Sequence, residues 1–130
     1  MYHFHIDIDG EIDQVVDKTL GALKEEGFGV LMDLDIQATL KAKLDVDRLP
    51  YRILGACNPP LANQALDAEP DIGVLLPCNV VVRGLEDGKV RVTFMDPDSV
   101  LALVDNDQVG TLAEEVKERL QRVRDRLAGG

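Results

Sequence analysis

Two short segments hold the residues of this sequence best suited to chemistry: Ala56-Cys57-Asn58-Pro59 and Leu76-Pro77-Cys78-Asn79. Each sets a thiol beside a side-chain amide and a proline, and the chain has two cysteines in all. Cys57 closes an apolar stretch where Asn58-Pro59-Pro60 opens a helix, because proline is tolerated in a first helical turn and asparagine caps one. Amide dipoles at such a terminus favour the thiolate, the nucleophilic and metal-binding form of cysteine. The pair could therefore support thiol redox chemistry, with Cys57 as the reactive sulfur and Cys78 as the resolving one, or soft-metal binding. With Asn58 and Asn79 it could instead line a mostly apolar pocket for a small ligand. The competing reading is packing alone, since cysteine is among the most buried residue types and behaves as a small hydrophobe. Two cysteines supply only half of a tetrahedral zinc set, which argues against a structural zinc site.

Other candidates are weaker. His3, His5 and Asp7 alternate with apolar residues, so they point to one side of a strand, where Asp33 and Asp35 would join them if the two strands were neighbours. Polar side chains are expected on the solvent face of such a strand anyway, and no metal ligand is assigned. Ser99, the only serine, lies in Asp96-Pro97-Asp98-Ser99 at the start of a short helix, where its side chain is expected to help cap the helix rather than attack a carbonyl. Lys117, Arg119, Arg122, Arg124 and Arg126 cluster near the C-terminus, where cations complement a helix dipole. A solvated helix end is the expectation there, with a site for an acidic partner as the alternative. The chain has no glycine-rich phosphate loop, Gly-x-Ser-x-Gly elbow, His-Glu-x-x-His or Cys-x-x-Cys. No reaction and no cofactor can be named from it.

These residues need elements to place them. Tyr2, Phe4, Ile6 and Ile8 alternate as in a half-buried strand. Ile12, Val15, Val16, Leu20 and Leu23 then share a helical face, with Asp9 available as cap and Gly27 as a left-handed stop. A strand from Phe28 to Asp35 and a short helix capped by Asp35 follow, then a strand over Tyr51 to Cys57 and a helix from Pro59 to about Leu66. The run Ile72 to Val82 suits a strand covered on both faces, with Pro77 at a bulge or an unpaired position. Residues 78 to 95 read as a hairpin around Glu86-Asp87-Gly88-Lys89. A short helix after Asp96 and a long one carrying Val109, Leu112, Ala113, Val116, Leu120, Val123 and Leu127 on one stripe close the chain. The order predicts one α+β domain over residues 1–130, with a five-stranded, mostly antiparallel sheet, two long helices on one face and short helices in the connections. The direction of the strand at 72–82 relative to that at 51–57 stays open. Parallel pairing would set the two sulfurs abreast, and antiparallel pairing would separate them.

The 130 residues carry 24 acids against 14 bases, a formal charge of −10, and 45% are hydrophobic. That is the profile of a folded globule rather than a disordered chain. The charge repels phosphate backbones and anionic lipid, so neither nucleic acid nor membrane is an expected partner. No apolar run approaches membrane-spanning length and no basic-then-apolar leader pattern is seen, so a cytoplasmic protein is expected.

Phe28-Gly29-Val30-Leu31, Tyr51-Arg52-Ile53-Leu54-Gly55-Ala56-Cys57-Asn58-Pro59, Leu75-Leu76-Pro77-Cys78-Asn79-Val80-Val81-Val82 and Asp96-Pro97 occur in this order. Taken together they resemble the domain-of-unknown-function family 302 over nearly the whole chain. The resemblance implies an α+β domain similar in fold to the TATA-binding protein, running strand, helix, four strands, helix, often a homodimer and with no established activity. Function belongs to a site rather than a fold, so the likeness brings no nucleic-acid binding with it. The leading expectation is a binding or sensing module with a ligand pocket near Cys57, Asn58, Cys78 and Asn79. The alternative is a thiol-redox or soft-metal protein using the two cysteines.

Overall fold

The computed structural model describes residues 1–129. Five strands form one sheet: β1 (His3–Ile8), β2 (Gly29–Asp35), β3 (Tyr51–Cys57), β4 (Cys78–Gly84) and β5 (Val90–Met95). Their spatial order is β1-β5-β4-β3-β2, and every pairing is antiparallel. Two long helices, α1 (Ile12–Glu25) and α5 (Asp107–Ala128), cover one face. Shorter helices α2 (Ile36–Leu44), α3 (Pro59–Ala68) and α4 (Pro97–Leu101) fill the connections. The α+β architecture predicted from the order of elements is the one observed.

The main core follows from alternation. Val80 and Val82 of β4, and Val90, Val92 and Phe94 of β5, send their side chains beneath Val15, Val16 and Leu23 of α1 and Leu120, Val123 and Leu127 of α5. Phe4 of β1 stacks on Phe94 at 5.3 Å, and the Arg124 guanidinium caps the Phe4 ring at the same distance. A second, smaller cluster gathers Ala65, Ile72, Leu101, Val109 and Ala113 beyond the end of the sheet. One helix, α5, serves both clusters.

Four local readings need correction. The run from Ile72 does not form a strand: Pro70–Leu75 is a 3₁₀ helix, and β4 begins only at Cys78. Ile72, Leu75 and Leu76 pack into the second cluster while Val74 faces solvent, and a continuous apolar run cannot by itself tell a buried strand from another segment. Pro77 precedes the ladder, and β4 is buried on one face only, with Asn79 exposed between Cys78 and Val80. In β2 the register slips between Val30 and Met32, so strict alternation fails. Val30 pairs with buried Ala56, whereas Met32 and Leu34 fall on the open face opposite Gly55 and Ile53. The cap of α1 is Glu11, not Asp9, and it makes no side-chain cap bond.

Candidate functional site

Cys57, Asn58 and Cys78 come together. The end of β3 lies beside the start of β4 because antiparallel strands reverse direction at each turn. Ala56 pairs with Cys78, and Cys57 is the next residue on. The expectation that antiparallel pairing would separate the sulfurs is therefore wrong, since it assumed that β4 began at Ile72. Asn58 caps α3 as its residue type and the following prolines predict, its Oδ1 accepting from Leu61 N at 3.3 Å. Asn79 does not join them. It stands opposite Gly55 on the open face of the sheet, one residue and one side away from Cys78.

The three residues border an apolar hollow of about 50 Å³. Its walls come from both core clusters: Phe28, Ala56 and Val116 from the main one, Ala65, Leu101 and Val109 from the second. The position has a physical cause. Interiors pack to near-crystalline density within a cluster, and the space left over collects at the seam where two clusters, built on different elements, meet. Cys78 is buried and Cys57 half-buried. Burial pushes the Cys78 thiol up to about 12, and the nearby Cys57 adds to the rise. At neutral pH Cys78 is thus a thiol rather than a thiolate.

The wall residues were visible in the sequence only as core. Val109, Leu112 and Val116 belong to the helical stripe of α5, but the stripe runs past the sheet, and its first two turns face the hollow and the second cluster instead. The missed signal was length, because α5 is 22 residues long and the strands it covers have six or seven.

The acidic candidates have structural partners. Asp7 pairs with Arg91 through bonds of 2.6 and 3.0 Å, and Asp33 binds Arg52. As β1 and β2 are opposite edges of the sheet, Asp33 and Asp35 cannot meet His3 and His5. Among the described residues no group of three histidine, cysteine, aspartate or glutamate side chains is placed to hold a metal. The cap of α4 is Asp96 rather than Ser99, whose Oγ donates to Met1 O at 2.8 Å.

The basic run is not a free patch. Arg122 and Arg126 both bind Glu26, Arg119 donates to the Glu26 carbonyl, and Lys117 reaches Asp96 and Asp98. Glu26 has a buried side chain. The Arg122 hydrogen bond, opposed by burial and helped by Arg126, holds its carboxyl below the ordinary 4.5.

A five-stranded antiparallel sheet backed by two helices, with a thiol-bordered seam at one end, defines a class of small α+β domains. The chain belongs to the family described as "Domain of unknown function DUF302", whose profile matches residues 4–127. A crystal structure of an uncharacterized conserved DUF302 protein from Bacillus stearothermophilus is similar over 97% of this chain and 98% of that one, at 28% identity and a TM-score of 0.90. No curated protein matches the chain.

Proposed function

We propose that this protein is a binding or sensing module whose ligand occupies the hollow bordered by Cys57, Asn58 and Cys78. The observation that carries the reading is an apolar void at the seam of two core clusters, bordered by the side chains of Cys57, Asn58 and Cys78. Sites for drug-sized ligands run to roughly 300–1,000 Å³, so a space of about 50 Å³ selects a ligand of only a few non-hydrogen atoms. The test is an NMR titration with small alkyl thiols and sulfides as probes. Amide shifts should concentrate at Ala56, Leu61, Ala65 and Val116, and Ala65→Leu, which fills the space, should abolish them while the fold persists. Shifts scattered over the surface, or unchanged by Ala65→Leu, would refute the site.

Thiol redox or soft-metal chemistry at Cys57 and Cys78 is the second reading, favoured by their meeting at one hollow. The raised Cys78 thiol counts against it, because exchange and metal binding both need the thiolate. Loss of both thiols under mild oxidation, with a disulfide between them by mass mapping, would reverse that order.

The partner of this reading is a second copy of the chain. No residue of α2 is buried, and Leu31, Leu44 and Leu49 in the edge segment are 68%, 67% and 48% exposed. The segment 29–50 is nearly neutral, with Asp33, Asp35, Asp45 and Asp47 against Lys41, Lys43 and Arg48, in a chain of charge −10. Two copies would repel one another least there. Among the described residues no helix is long and apolar enough to cross a membrane.

A further inference from the structure

A second group of side chains lies on the open face of the sheet, away from the hollow. His3 and His5 project from that face of β1, and the register sets Met95 of β5 opposite His3 and Thr93 opposite His5. Directly opposed residues hold their Cβ atoms roughly 4.5–5.5 Å apart, and diagonal ones lie within roughly 8 Å. His3, His5 and Met95 can therefore reach a common point above the strands. The two imidazole centroids are 6.4 Å apart, with their planes tilted by 41°. Two imidazoles on one ion, at about 2.0 Å per bond, have centroids roughly 5–6.3 Å apart, so side-chain rotation alone closes the difference.

His3 Nδ1 supplies an independent sign. It is buried without a hydrogen-bond partner, and Tyr2 packs edge-on against the same ring at 4.5 Å. Unpartnered buried polar atoms are uncommon, and a cation taking the imidazole lone pair would satisfy this one. Asp7, the carboxylate on this face of β1, is committed to Arg91. What the face offers is two imidazoles and a thioether, not the oxygen set that magnesium or calcium requires.

We propose that His3, His5 and Met95 bind one soft monovalent cation of the copper(I) class. The thioether decides the class, because sulfur ligands select copper(I) and imidazole also suits copper. Silver(I) is the redox-inert probe, added to the full chain carrying Cys57→Ser and Cys78→Ala so that thiols do not compete. Met1, Met32 and Met95 are the three methionines, which makes methyl NMR site-specific. One equivalent of silver(I) should move the Met95 methyl and the His3 and His5 ring signals and leave Met32 in place. His5→Ala or Met95→Leu should weaken binding at least tenfold. Should the cysteine substitutions prevent folding, the wild-type chain gives the same readout, with the Met95 methyl moving after the thiols saturate. An unmoved Met95 methyl at excess silver(I), or equal affinity in the His5→Ala and Met95→Leu chains, would overturn the proposal.

Discussion

Asn58 serves the fold and the hollow with one side chain. Its Oδ1 caps α3, and the residue also forms part of the apolar wall. Asn58→Ala should cost about 1 kcal/mol through loss of the cap, measurable by urea denaturation, and should also weaken probe binding. Asn58→Asp keeps the cap and should restore the stability. This role was legible in the sequence, since Asn-Pro-Pro is local chemistry that needs no knowledge of the sheet. The place of Cys78 was not legible. Its meeting with Cys57 depends on where β4 starts and which way it runs, and both are decided by the residues before it packing into the second cluster. Asn79 lies away from the hollow for a related reason, because the strand begins one residue earlier and alternation turns its side chain outward.

At the scale of elements, α1 and α5 are joined at the C-terminal end of α1. Gly27 ends α1 at φ +85°, and a Cβ there would come within 3.0 Å of Asn58 Nδ2. Gly27→Ala should destabilise by about 1–2 kcal/mol, from the left-handed backbone and the contact together, and a melting curve reads it directly. Beside it, Glu26 is gripped by Arg122 and Arg126 of α5. Its carboxyl is lowered in the folded chain, so the stabilisation is fully present above the unfolded value near 4.5 and is lost as pH falls through the folded one. Glu26→Gln should cost about 2 kcal/mol at pH 7, a figure set by charged hydrogen bonds to partly exposed arginines. In acid unfolding the gap between Glu26→Gln and wild type should begin to narrow near pH 4.5 and close as the pH falls through the lowered folded value. A gap that persists unchanged into acid would contradict the role given to this carboxylate. The strand at 51–57 was readable as an apolar stretch bounded by Pro50 and Asn58-Pro59-Pro60, and the helix stripes because their period is strong. The β2 bulge was not, since a single inserted residue leaves no mark in composition.

For the whole molecule, the uneven distribution of apolar exposure is the informative feature. The sheet edge and α2 present Leu31, Leu44 and Leu49 to solvent while the rest of the chain carries nearly all of its net charge. Light scattering should give the mass of two chains, and Leu31→Lys with Leu44→Lys should give one, with the far-UV spectrum unchanged. A wild-type monomer at high protein concentration would remove the second copy from the account. The seam between the two clusters is also a property of the whole, since neither cluster alone encloses it. A crystal grown in the absence of reducing agent and pressurised with xenon tests it most directly. Xenon should refine within van der Waals contact of Cys78, Ala65 and Val109, and it should be absent from an Ala65→Leu crystal. A hollow that stays empty in wild type, or a Cys78 side chain collapsed across it, would contradict the claim that this seam receives a ligand.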